Sequence, residues 1–324
     1  MKPLILNAWP RASREESRIC LESTSAPAEV LIGKPRPLSD GDYSVPIEVR
    51  GLGLAMAPDD ILVADGLIRR VRVGTQTSQA IPLLRGAAKT PSEGAASASV
   101  KLDVILEHAV EPLWTSIPGM PVRTEFSFSR SPLQSVFTGR TIAVDPGHGG
   151  KDVGVRGPVN LLEKNIALEV ALILHSMLRE CGANVLMSRD RDCDVDPERW
   201  TSALAVARPE LLVEIHASGE RDPMARSYHV FARRGSEESA HAAGSIAAAL
   251  VERMGVFISG IEESDFVAIP LWPAVRVEPL CLTHFVDEAN FRAPLFRKRI
   301  AQAIFNGISR YFVSLARGGA ERVG

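Results

Sequence analysis

Asp145-Pro146-Gly147-His148-Gly149-Gly150-Lys151-Asp152-Val153-Gly154 is the stretch from which the rest of the chain is read. The apolar residues 141–144 before it have the make-up of a short strand, and the glycines then turn the chain. His148 is thereby put on a loop at a strand's carboxyl end. Glu163 follows at the head of a segment with apolar residues at Ile166, Val170, Ile173, Leu174, Met177 and Leu178. That spacing predicts a helix over 163–180, with Gly182 as its terminator.

The same alternation continues to the end of the chain. Residues 183–187 and 211–216 read as strands, the second ending on His216. An Ala-rich helix is expected over 236–254 and a strand over 274–278. Pro294 opens a last helix with Phe296, Ile300, Ile304, Ile308 and Phe312 on one stripe. Alternating strands and helices predict an α/β domain of phosphorylase/hydrolase-like type, with a mainly parallel sheet and helices on both faces. Ligands of such sheets lie at the carboxyl ends of the strands, and His148, His216 and Glu278 all fall there.

Taken singly, each of these residues has a plain explanation. Gly-His-Gly is usually a turn, a glutamate at a helix start usually complements the dipole, and a histidine at a strand end is usually a polar terminus. Together they are a common ligand set for a hydrolytic zinc, which leaves one position open for a water made nucleophilic near neutral pH.

Before about residue 135 the character differs. Residues 18–22, 43–49, 67–73, 100–106 and 122–128 are β-branched or alternating and are separated by Gly, Pro and Asp turns. A smaller all-β domain over 1–134 is expected ahead of the α/β domain over 135–324. Residues 129–139 read as a linker, and the Ala-, Ser- and Gly-rich 86–99 as a mobile loop. The 324 residues are 45% hydrophobic with a net charge of −2, which gives no electrostatic reason to expect nucleic acid or an anionic membrane as partner. Apolar runs are too short for a transmembrane segment. Cys20, Cys181, Cys193 and Cys281 form no C-x-x-C pair and read as buried small hydrophobes, with a Cys181–Cys193 bridge left open.

With these residues placed, residues 140–315 resemble the zinc-dependent N-acetylmuramoyl-L-alanine amidases of the type-3 kind. The family run Asp-x-Gly-His-Gly-Gly-x-Asp-x-Gly, then Gly and Glu-Lys, is met by Asp145, Gly147 to Gly150, Asp152, Gly154, Gly157, Glu163 and Lys164. Its Thr-Arg-x-x-Asp block is met by Ser188-Arg189-Asp190-Arg191-Asp192, and its Arg-x-x-x-Ala by Arg199 and Ala203. Its Ser-Ile-His-Ala-Asn strand is met by Glu214-Ile215-His216-Ala217-Ser218, and its Pro-x-Val-Leu-Val-Glu by Pro273-Ala274-Val275-Arg276-Val277-Glu278.

The resemblance implies hydrolysis of the amide between the lactyl group of muramic acid and the first L-alanine of peptidoglycan. It implies one zinc ion per chain on His148, Glu163 and His216. Glu278 would take a proton from the attacking water and pass it to the leaving amine. Asp145, Glu214, Arg276 and His284 are expected to support these residues or meet the substrate. The site of action would be extracytoplasmic, at the cell wall or in the periplasm, although residues 1–10 do not read as a signal peptide. A monomer is expected. The rivals are a non-catalytic peptidoglycan-binding or regulatory protein that keeps the fold, and a zinc peptidase acting on the stem peptide.

The chain departs from the family in places. Leu280-Cys281-Leu282-Thr283-His284 stands where the family usually has Gly-Phe-Leu-Ser-Asn, and Ser218 replaces an Asn. Glu214 and Arg276 replace a small and an apolar residue, each two positions before a site residue and so on its face. They are expected to pair across neighbouring strands, because a lone buried charge would be costly. His216 and Glu278 are 278 − 216 = 62 residues apart, a shorter stretch than in relatives with an inserted blocking helix. Residues 16–128 resemble the AMIN domain, a β-sheet module thought to place such amidases on the wall, with Trp114 a candidate for stacking on glycan and ordinary packing its commoner fate. His108, His175, His229 and His241 are assigned ordinary structural roles.

Overall fold

The structure, a computed structural model, describes residues 3–55, 60–76, 98–258, 260–266 and 272–321. Most of the loop expected over 86–99 lies outside the described residues. The chain divides into two compact units, Met1–Pro132 and Leu133–Gly324.

The first unit is built from two sheets. One has the order β10-β11-β2-β1-β6, from Leu113–Ile117 (β10), Val122–Ser129 (β11), Glu16–Ser23 (β2), Leu4–Ala12 (β1) and Gly53–Leu54 (β6). The other runs β3-β5-β9-β8-β7, from Glu29–Ile32 (β3), Tyr43–Arg50 (β5), Ser99–Leu106 (β9), Ile68–Gln76 (β8) and Asp60–Leu62 (β7), with Arg36–Pro37 (β4) beside β5. Alternate residues of β5 point inward: Val45, Ile47 and Val49 are fully buried while their neighbours are not. Trp114 does not pack away as expected. It is 43% exposed, because β10 is an edge strand whose residues are mostly open to solvent.

The expected linker over 129–139 is largely a helix, α1 (Ser131–Phe137). Leu133 and Phe137, four residues apart on one face, are both buried. The Phe137 ring stacks on Phe305 at 5.1 Å and meets Phe312 edge-on at 6.2 Å. Burial of these two side chains orders a stretch that composition reads as a connector.

The second unit is a six-stranded sheet in the order β13-β12-β14-β17-β15-β16. These are Asn184–Met187 (β13), Thr141–Pro146 (β12), Leu211–Ile215 (β14), Ala274–Glu278 (β17), His229–Arg233 (β15) and Ile261–Ser264 (β16). All pairs are parallel except β15 with β17. Among the described residues, five helices cover it: α2 (Glu163–Glu180), α3 (Pro197–Ala207), α4 (Glu237–Met254), α5 (Phe285–Arg292) and α6 (Pro294–Glu321). On one face Ala143, Leu212 and Ala274 form a core with Leu204 and Trp200 of α3 and with Trp272. On the other, α2 and α4 pack on the strands and α6 lies against both helices.

Local chemistry sets the helix ends. Ser236 caps α4 and Asp196 caps α3 through their side-chain oxygens. Gly255 closes α4 in the left-handed conformation, φ +66°. Among the described residues, no helix is long and apolar enough to cross a membrane. All four cysteines are free.

Candidate metal centre and active site

Three chain segments meet at the carboxyl ends of β12, β14 and β17. Past β12, the Gly147 amide donates to Ile215 O at 2.9 Å, which ties the loop to the end of β14. His148 then takes a left-handed backbone, φ +62°, uncommon for a residue with a side chain. The loop is held from outside. The buried Arg189 donates to Pro146 O, Gly147 O and Lys164 O at 3.0, 2.8 and 2.8 Å. Lys164 Nζ reaches Gly150 O and Asp192 Oδ2, both at 2.7 Å. Asp192 and Asp194 accept from the Gly150 and Lys151 amides at 2.8 Å each. The Ser-Arg-Asp-Arg-Asp block is therefore the frame of the histidine loop.

Glu163 is the first residue of α2, and its side chain is 2% exposed. Its carboxylate accepts the Val155 and Ala217 amides at 2.8 and 2.9 Å. His148 Nε2 and His216 Nδ1 each lie 3.0 Å from its oxygens. The two rings stand edge to face, centroids 5.0 Å apart and planes at 79°. Asp152 Oδ2, 2.8 Å from His148 Nδ1, turns the other ring nitrogen toward Glu163. One ligand atom from each of His148, Glu163 and His216 falls within 4.8 Å of the others.

This set fits a zinc ion. Two imidazole nitrogens and a carboxylate oxygen are donors that zinc takes in hydrolytic sites. Two glycines leave them room. A Cβ at Gly147 would stand 2.3 Å from His216 Cε1, and one at Gly154 would stand 2.5 Å from both Glu163 Oε2 and His148 Cδ2. Burial alone would raise the Glu163 carboxyl, but His148, His216 and the two amides outweigh it and hold the group well below the usual carboxylate range. In turn the Glu163 carboxylate, aided by Asp152, raises His148 to about 9 against the opposing effect of burial.

Glu278 ends β17 beside this trio. The His216 amide donates to Val277 O at 2.9 Å, so His216 and Glu278 stand at one level on adjacent strands. Burial holds the Glu278 carboxyl above its ordinary range, and nearby His216, His229 and Arg276 act against that. Among the described residues, no side chain is hydrogen-bonded to it.

The other expected residues do not join the trio. Asp145, Glu214 and Arg276 form a row across β12, β14 and β17, one step back along the strands. Arg276 donates through Nε and Nη2 to Glu214 Oε2 at 2.9 and 2.8 Å, and its guanidinium lies 4.9 Å from the centre of the Phe266 ring. Asp145 accepts from the Ser188 hydroxyl, and burial raises both its carboxyl and that of Glu214. His284 is buried at the start of α5, where Arg226 Nε donates to it at 3.1 Å and Asp287 lies 3.9 Å away. The loop between Glu278 and α5 is packed: Leu280, Cys281 and Leu282 are buried, and Leu280 needs no left-handed backbone. Ser218 ties to it through Leu280 O at 3.1 Å and the Leu282 amide at 2.8 Å.

Three participants escape a reading of the sequence alone. Asp152 is part of the glycine-rich run, yet spacing does not show its contact with His148. Glu288, 1% exposed, accepts the Val159 and Leu161 amides at 2.6 and 2.9 Å and fixes the loop ahead of Glu163. His229, read as an ordinary residue, lies opposite Glu278 on β15.

Comparison with known proteins agrees with this geometry. Residues 142–310 match the family described as N-acetylmuramoyl-L-alanine amidase (Amidase_3). The Bacillus subtilis protein YqiI is 31% identical over 177 residues, which cover 54% of this chain and 85% of YqiI. The B. subtilis N-acetylmuramoyl-L-alanine amidase LytC is 28% identical over 184 residues, 56% of this chain but 37% of LytC. Among solved structures, an N-acetylmuramoyl-L-alanine amidase from Clostridium difficile 630 superposes with a TM-score of 0.52 at 25% identity, covering 54% of this chain and 97% of that one. The catalytic domain of CwlV from Bacillus (Paenibacillus) polymyxa gives 0.50 at 25% identity, covering 53% and 97%.

Proposed function

Because this chain belongs to the N-acetylmuramoyl-L-alanine amidase family, we propose that it hydrolyses the amide between N-acetylmuramic acid and L-alanine in peptidoglycan, with one zinc ion on His148, Glu163 and His216. The observation that carries this reading is the convergence of those three ligand atoms within 4.8 Å at the strand end next to Glu278. Zinc, when bound, would supply a Lewis acid for the scissile carbonyl and lower the pKa of the attacking water.

The protein's own residues do the rest. Asp152 fixes the His148 ring, and the Val155 and Ala217 amides fix the Glu163 carboxylate. Glu278, raised by burial and with no side chain hydrogen-bonded to it among the described residues, takes a proton from water and delivers it to the amide nitrogen. The C–N bond then breaks with its electron pair on nitrogen. An amide needs this, since an unprotonated amine is a poor leaving group. The Glu214–Arg276 pair supports the strands that carry His216 and Glu278.

On this reading the chain works outside the cytoplasmic membrane, where the polymer is. The β-rich residues 1–134 act as an AMIN-like wall-targeting domain, and residues 135–324 carry the chemistry. The test uses the zinc-loaded full chain on purified sacculi. Release of intact stem peptides that begin with a free L-alanine is expected. Tight zinc without turnover would favour a binding or regulatory protein, and shortened stem peptides would favour a peptidase.

A further inference from the structure

Glu278 has an imidazole on each side. His216 flanks it on β14, and His229 stands directly opposite it on β15. Adjacent strands are about 4.8 Å apart, and opposed residues of an antiparallel pair share a face with Cβ atoms roughly 5 Å apart. His229 thus borders the carboxylate on the side away from the zinc ligands.

The ring of His229 has two contacts that orient it. Its Nδ1 lies 2.8 Å from Glu262 Oε1 on β16, and its plane stacks on Phe231 at 5.4 Å and 19°. A carboxylate only accepts, so the contact places a proton on Nδ1, and in that tautomer Nε2 is a hydrogen-bond acceptor. Among the described residues, no group of the protein engages Nε2. The side chain is 28% exposed, within reach of a bound molecule.

We infer that His229 is a catalytic residue of the proposed reaction, accepting the N–H of the scissile amide through Nε2. The inference rests on the amidase reading given above. That reading orders the substrate across three strands: the carbonyl toward His148, Glu163 and His216, the nitrogen at Glu278, and the leaving side toward β15. As water adds to the carbonyl carbon, the nitrogen becomes pyramidal and develops a lone pair. Its direction depends on rotation about the C–N bond. Holding the N–H at His229 turns that lone pair toward Glu278. The proton taken from water by Glu278 goes to nitrogen, and the C–N electron pair leaves with the amine. His229 itself neither gains nor loses a proton. Glu262 holds the ring in the tautomer this needs.

The test compares two substrates of the zinc-loaded full chain. One is an N-acetylmuramoyl-L-alanyl peptide. The other is the matched ester, in which oxygen replaces the scissile N–H. His229→Ala is expected to lower kcat on the amide roughly 10- to 30-fold, the worth of one hydrogen bond made in the transition state, with KM unchanged. On the ester, which has no N–H to hold, kcat should equal that of the parent. His229→Gln, which keeps an acceptor oxygen, should recover most of the amide rate. Zinc content by metal analysis and the circular dichroism spectrum should be the same in all three proteins. Equal losses on amide and ester would make His229 structural and overturn the inference, as would no loss on either. A parent chain that cleaves neither substrate would overturn the amidase reading itself, and this inference with it.

Discussion

Replacing Gly147 by alanine tests whether the site depends on the placement of His216. The change adds one methyl group. Gly147 is not held at positive φ, so alanine brings no backbone strain there. The new Cβ would stand 2.3, 2.5 and 2.6 Å from Cε1, Nε2 and Nδ1 of His216, whereas ordinary contact begins near 3.4 Å. The ring must therefore give way by about 1 Å. It has little freedom, because Nδ1 is on Glu163 at 3.0 Å and its neighbour is the His148 ring at 5.0 Å. A misplacement of about 1 Å in a reacting constellation costs about 10²-fold in rate. Overpacking costs about 1–3 kcal/mol of stability. Amidase rate on sacculi, zinc affinity by chelator competition and thermal melting would measure the three effects. Gly244→Ala is the control: it lies in α4 with nothing within 4 Å of the added Cβ, and should match or slightly exceed the parent in stability. A Gly147→Ala protein with parental rate and zinc affinity would refute the argument that His216 is locked in place.

Three further outcomes are expected. Glu278→Gln should retain zinc and lose at least about 10²-fold in kcat, and a parental rate in sacculus digestion would remove Glu278 from its role. His148, raised to about 9, is protonated at neutral pH before a cation binds, while a metal ligand must be neutral. Zinc binding near pH 7 should thus release about one proton, and apparent affinity should climb about tenfold per pH unit before levelling above pH 9; calorimetry in buffers of different ionisation enthalpy reads this, and heats independent of the buffer would exclude it. Glu214→Leu should cost about 1–3 kcal/mol, less than for a sealed ion pair because the Arg276 side chain is 29% exposed, and adding Arg276→Leu should restore most of it in denaturant unfolding.

How far the sequence could be read follows from what each residue is fixed by. The helix over Glu163–Glu180 and the buried strands β12, β14 and β17 carry strong local periodicity, and their bounds were legible to within about two residues. The proposed ligands could be picked out because His148 and His216 lie just past the ends of β12 and β14 and Glu163 begins α2. Helix α3 carried a clear start in Asp196-Pro197, yet only Leu204 of it is buried, so no apolar stripe marked it. Strand β16 is short, charged and largely exposed at the sheet edge, and β15, though it buries Val230 and Ala232, is only five residues long. His229 could not be found by spacing, since register across strands alone brings it to Glu278. Glu288 bonds to amides 127 and 129 residues away, and no local pattern announces such a contact.

The order of strands has a bearing on how competence is reached. The three proposed ligands come from residues 148 to 216, and the backbone donors to Glu163 from 155 and 217, all before β15 in the chain. The proposed base, Glu278, comes much later in the chain. Its strand, β17, is inserted between β14 and β15, in the interior of the sheet and not at its margin. Until that insertion the sheet is split in two, and afterwards it is whole. On the proposed function, hydrolytic power would therefore wait on the strand that joins the two parts of the sheet: without β17 in place the candidate ligands would have no Glu278 carboxylate beside them.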